Sequence, residues 1–118
     1  MENSTMIAAV HKYVEAFDKQ DMDIIRDIYA ADARVEDPVG SEAHEGIEAI
    51  CKFYEMGLNA GGKLLLTGAP RCAGRSVAFP FTFSMGDMVI EIIDVFEFNS
   101  EGKVSSMKAY WGQDNMQS

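Results

Sequence analysis

Two stretches of alternating residues constrain most of what this chain can become. Val77, Phe79, Phe81, Phe83 and Met85 alternate with small or polar residues, the two-residue period of a strand. Met88–Phe98 is a second, longer strand, and Gly86-Asp87 between the two is a turn signal. Asn99–Gly102 turns the chain again, Lys103–Trp111 is the last strand, and Lys63–Thr67 is a further one. The first half carries the helical period instead. Ile7, Val10, Val14 and Phe17 recur at intervals of three and four, with Ser4 or Thr5 as a cap. A second helix starts at the N-cap Asp21 and runs through Tyr29, burying Ile24, Ile25 and Ile28. A short strand around Arg34–Glu36 leads into a loop holding Pro38 and Gly40. Ile47, Ile50, Cys51, Tyr54 and Leu58 form the stripe of a third helix, which Gly61 and Gly62 stop. Helices followed by an antiparallel meander predict an α+β fold with the helices on one face of the sheet. With no repeat or linker, the 118 residues read as a single domain over 1–118.

Charge and cysteine content narrow the partners. The net charge of −9 repels phosphate backbones and anionic membrane, so neither nucleic acid nor membrane is an expected partner. No apolar run reaches the length of a transmembrane helix. The N-terminal segment lacks the basic start and apolar stretch of a signal peptide. Cys51 and Cys72 are too few for a disulfide scaffold, and a reduced cytoplasmic protein is expected. His11 and His44 have no Cys or second His at metal-ligand spacing and are read as surface residues; no metal site is expected.

Three sets of polar residues stand where the pattern wants apolar ones. Ile90, Ile92, Phe96 and Phe98 share one face of the long strand, and Asp94 sits in the middle of that face. A carboxylate buried without a partner tends to neutralise, and a neutral carboxylic acid donates a hydrogen bond. Pairing with a basic residue, or a bulge, would explain Asp94 equally well. Tyr13 lies at the edge of the first helical stripe, Tyr54 on the third, and Tyr29 at the end of the second helix. Three tyrosines facing one interior need partners for three hydroxyls, although each is also an ordinary packed ring. Asp37 precedes Pro38, which holds it on stiff extended backbone; it is either a general base or part of a plain turn.

These residues together resemble the ketosteroid isomerases, steroid Δ5-3-ketoisomerases of the NTF2-like, SnoaL-like superfamily. KYVEAF around Tyr13 is similar to that family's first-helix tyrosine motif, and IYAADARVEDPVG to its stretch ending in V-E-D-P-x-G. FYEMGL, IIDVFEFN and MKAYWG resemble its third-helix tyrosine segment, its second-aspartate strand and its last strand. The loop Ala60–Lys63 and the stretch Pro70–Arg75 depart from the family pattern. The resemblance implies three N-terminal helices in the concavity of a strongly curved mixed or antiparallel sheet. It implies Asp37 as general base and Tyr13 with protonated Asp94 as an oxyanion hole. Tyr54 and Tyr29 would support the oxyanion tyrosine, and Trp111 would hold the base by its indole N–H. Ketosteroid isomerases are themselves the known example of a carboxylic acid kept neutral by an apolar site.

The implied substrate is a 3-oxo-Δ5-steroid, isomerised without a cofactor. Phe53, Phe79, Phe81, Phe83 and Val95 or Phe96 would line its pocket. A homodimer is implied as well, with Val89, Ile93 and Val95 on the buried contact and Glu91 and Glu97 at its rim. Two other readings stand beside this one, because fold does not fix function. The scaffold also hosts polyketide cyclases, dehydratases and epoxide hydrolases, and the chain could be a non-catalytic dimeric module that binds a small molecule.

Overall fold

The computed structural model describes residues 1–117, so Ser118, the last residue of the expected domain, lies outside the described residues. Helix α1 (Asn3–Asp18) buries Met6, Val10, Tyr13, Ala16 and Phe17. Its stripe is rotated from the expected one. Ile7 and Val14 are only half-buried, and Tyr13 stands on the buried face. Ser4 and Thr5 lie inside the helix; the N-cap is Glu2, without a side-chain capping bond. Helix α2 (Met22–Ile28) starts as expected, with Asp21 accepting from the Asp23 N–H at 2.9 Å. It ends one residue early, because Tyr29 already has extended backbone. The next strand, β1 (Tyr29–Glu36), therefore begins five residues before the expected Arg34. Helix α3 (Ile47–Asn59) buries Ile50, Cys51, Tyr54 and Leu58, as its stripe predicts.

Between β1 and α3 a two-residue strand, β2 (His44–Glu45), pairs with β1. His44 is half-buried and stacks on Phe53 with ring centroids 4.3 Å apart, so it is not the free surface residue expected. The meander follows: β3 (Lys63–Leu66), β4 (Arg71–Ala73), β5 (Ser76–Met85), β6 (Met88–Phe98) and β7 (Val104–Tyr110), then a short β8 (Met116–Gln117). Strands β2, β4 and β8 are too short for alternation to register. The sheet runs β2-β1-β7-β6-β5-β3 and is open, with β4 on β5 and β8 on β6. Pairing is antiparallel except where β1 runs parallel to β7. No helix among the described residues is long and apolar enough to cross a membrane.

The helices cover one face of this mixed sheet. On that face β6 presents Ile90, Ile92, Asp94, Phe96 and Phe98, and β5 presents Val77, Phe79 and Phe81. Each large apolar side chain fully buried there contributes about 1.5–3 kcal/mol relative to exposure. The other face exposes Glu91, Ile93, Glu97 and Tyr110. The parallel pair has one geometric effect that matters for the site. Parallel strands end at the same edge of a sheet. The residues that follow β1 and β7 are therefore delivered side by side.

Candidate active site

Those residues are Asp37, directly after β1, and Trp111, directly after β7. The Trp111 indole N–H donates to Asp37 Oδ1 at 2.7 Å. The loop behind Asp37 is pinned: Val39 N–H donates to the Ala109 carbonyl at 2.8 Å, and Gly40 N–H to Glu36 Oε2 at 2.7 Å. The Asp37–Pro38 peptide bond is cis. Burial pushes the Asp37 carboxyl above the usual aspartate range, while the Trp111 hydrogen bond and the charge of nearby His44 pull it back. Asp37 is half-buried and keeps access to the interior.

The second carboxyl is of another kind. Asp94 lies between Phe79 on β5 and Ala109 on β7, and is 1% exposed. Neither of its oxygens has a hydrogen-bond partner among the described residues. No basic residue pairs with it, and the irregularity of β6 falls at Glu97/Phe98, away from it. Burial drives its pKa far up, and the charge of Asp37 adds to the rise. Burial and the charge of Asp37 both favour the protonated form of Asp94, and the Tyr13 hydroxyl works against them.

Tyr13 stands beside it. Four rings meet the Tyr13 ring edge to face: Phe96 at 5.2 Å, Phe17 at 5.6 Å, Tyr54 at 5.8 Å and Phe79 at 5.9 Å. The Tyr13 hydroxyl is close enough to Asp94 to moderate its pKa, but its hydrogen bond goes to the Tyr54 hydroxyl at 3.0 Å. Tyr54 in turn bonds the Tyr29 hydroxyl at 2.6 Å. The three tyrosines thus form a line, Tyr29–Tyr54–Tyr13. Burial raises all three pKa values well above 10, so all three are protonated donors at neutral pH.

A cavity of about 400 Å³ opens onto these groups. Its polar wall is Tyr13, Asp37, Tyr54 and Trp111; Phe53, Phe81 and Phe83 supply rings, as expected. Phe79, Phe96 and Val95 do not line it. Phe79 and Phe96 are fully buried and pack on Tyr13, and Val95 faces the opposite side of the sheet. Asp94 is not among the lining residues; it lies directly behind Tyr13, which is. The remaining wall was missed: Phe17, Met56, Gly57, Leu64, Met85, Met88, Ile90 and Ile92. Ile90 and Ile92 carry a signal, since they share the face of Asp94; Met56, at 74% exposed, carries none. Among the described residues no group of three or more His, Cys, Asp or Glu converges as metal ligands would. The chemistry on offer is proton transfer by an ionised carboxylate, opposite neutral donors in an apolar hollow.

Comparison with known proteins places the chain in a family. The model of the SnoaL-like domain matches residues 10–107. The chain is 40% identical over 116 residues to a steroid Delta-isomerase of Nocardioides simplex, covering 92% of this chain and 91% of that one. It also superposes on SalBIII, an epoxide hydrolase/cyclase-like enzyme in pyran ring formation in the polyether salinomycin. That match has a TM-score of 0.89 at 26% identity and covers 98% of each chain.

The neutral state of Asp94 has a measurable sign. Its folded pKa lies above the unfolded value of about 3.9, so the stability it confers is full below that value and is lost as pH rises toward the folded pKa. Asp94→Asn mimics the protonated acid and should gain on the parent by about 1.4 kcal/mol per pH unit across that window. Urea denaturation of both proteins between pH 4 and 9 measures the gap. A gap that stays constant would mean that Asp94 is ionised in the fold.

Proposed function

The chain belongs to the SnoaL-like family, and from that premise we propose that it is a steroid Δ-isomerase acting on 3-oxo-Δ5-steroids. One observation carries the reading: a neutral, partnerless carboxyl beside a tyrosine hydroxyl, in a site whose other acid is held by an indole N–H. The steroid lies in the apolar hollow with its carbonyl toward Tyr13. Asp37, as carboxylate, removes a proton from C4, and electron density moves onto the carbonyl oxygen to give a dienolate. Tyr13 and protonated Asp94 donate to that oxygen. Donors aimed at developing charge in a water-poor site contribute most there. Asp37 then returns the proton to C6, and the double bond ends at C4=C5. Tyr54 and Tyr29 orient Tyr13, and Trp111 orients the base. No cofactor takes part.

A second reading keeps the base and the hollow and changes the ligand, making the chain a cyclase or dehydratase of another cyclic ketone. The match to SalBIII favours it. Conversion of 5-androstene-3,17-dione to the conjugated enone separates the two. Asp37→Asn is expected to lower that turnover by about 10²–10⁴-fold or more while steroid binding survives. Unchanged turnover would remove Asp37 from the mechanism.

The pH profile tests the base further. Because burial raises Asp37, kcat/KM should climb with pH through an apparent pKa above the usual aspartate range. Trp111→Phe removes a hydrogen bond that favours the charged form, so this limb should move to higher pH. An unmoved limb would contradict the role given to the indole.

The outer sheet face supports a homodimer. Ile93 and Tyr110 are about half exposed there, at 48% and 49%. They border a second hollow of about 320 Å³ with Glu91 and Asn115. Ile93→Asp places a charge on that face and should shift the mass measured by light scattering from dimer to monomer. A parent protein that is already monomeric would end the proposal.

A further inference from the structure

Gly61 and Gly62 follow α3 for different reasons. Gly61 has φ +77°, in the left-handed region that helix ends favour and other residues resist. Gly62 lies outside that region, so its backbone would accept a side chain. Space is what excludes one. A Cβ on Gly62 would stand 2.5 Å from Cε1 and 2.6 Å from Cζ of Phe83, and 2.9 Å from the Gly57 carbonyl oxygen. Gly57, on the last turn of α3, completes the seat. A Cβ there would touch Phe83 Cζ and Phe17 Cε2 at 3.6 Å each, which is ordinary contact. The Phe83 ring thus lies back against a helix end bare of side chains, edge-on to Phe17 at 5.9 Å.

The seat lies at the far end of the cavity. Phe79 pairs with Asp94, and Phe83 with Ile90, so Phe83 is four residues along the β5–β6 hairpin from Asp94. That is about 13 Å at roughly 3.3 Å per residue. This separation, taken along the strands, is longer than a single ring. Phe83 is on the cavity wall; Gly62 is buried behind it and is not.

We infer that Gly62 is a specificity determinant that sets the reach of the cavity. By letting Phe83 recline, it admits a long polycyclic ligand whose oxygen sits at Tyr13. Any side chain at position 62 tilts the Phe83 ring into the hollow and shortens it from the hairpin end. This deepens the proposed function and rests on its reading of the cavity as a site for ring ketones and their enols. It names the residue that selects long skeletons over short ones.

Phenols test it, since their hydroxyl imitates an enol and their binding needs no turnover. Phenol, 2-naphthol and estradiol are titrated by calorimetry into the parent protein, Gly62→Ala, Phe83→Trp and the double variant Gly62→Ala/Phe83→Ala. Overpacking the wall crowds the longer ligand most, so the affinity for estradiol relative to phenol should fall about tenfold or more in Gly62→Ala. Phe83→Trp enlarges the same wall without crowding the Gly57 carbonyl, and the ratio should fall there as well; it decides the matter alone if Gly62→Ala does not fold. The double variant should recover the ratio, which damage to the end of α3 would not allow. An equal loss for all three phenols, or no loss for any, overturns the inference. If the ratio falls while the parent protein fails to isomerise 5-androstene-3,17-dione, the isomerase reading fails and the role of Gly62 stands. If turnover is normal and the ratio holds, only the role of Gly62 is lost.

Discussion

Dehydration of Asp94 is the constraint around which the interior is arranged. An aspartate on the apolar face of a central strand is tolerable only if it stays protonated, and an unpartnered buried donor or acceptor costs about 1–3 kcal/mol. Phe79 and Ala109 flank it across the sheet, and among the described residues Tyr13 is the one whose hydroxyl acts on the acid. A local loss of this kind in a well-packed core is a feature that calls for an explanation.

The same fold gives two chemically identical side chains opposite surroundings. Asp94 is wholly enclosed and partnerless, whereas Asp37 is half-buried and held by an indole N–H. The charge on Asp37 raises Asp94 further, and the Trp111 bond keeps Asp37 from following. The backbone arranges this with little machinery. One parallel pairing in an otherwise antiparallel sheet brings Asp37 and Trp111 to a common edge, and one register line places Asp94 in the adjacent strand.

Much of this was legible in the residues, but not all. Asp94 announced itself because a charged residue with apolar parity has few explanations, and the α3 stripe found Tyr54 because that helix has one plainly amphipathic face. Tyr13 was harder. Hydrophobicity alone put it at the edge of α1, whereas the fold turns it inward, where Tyr54 satisfies its hydroxyl; no single helix can report a partner on another. The cavity wall was the least legible part. Alternation says which face a ring occupies, not whether it meets a hollow or another ring, so Phe81 and Phe83 line the cavity while Phe79 and Phe96 are packed against Tyr13. Val95 has the parity of the outer face and belongs there. His44 is read from sequence as a surface residue because two residues are too few to display a strand's period.

The tyrosine line has a consequence of its own. Each hydroxyl carries one hydrogen and can accept two, so Tyr54 either donates to one neighbour and accepts from the other or accepts from both. Left to itself, the row is free to run in either direction. A guest oxygen that takes the hydrogen of Tyr13 forces Tyr54 to turn toward Tyr13 and Tyr29 to turn toward Tyr54. The hydroxyls then share one direction with no heavy atom displaced. Arrival of the guest is recorded in the orientation of an O–H bond two side chains away, in a region the guest never touches.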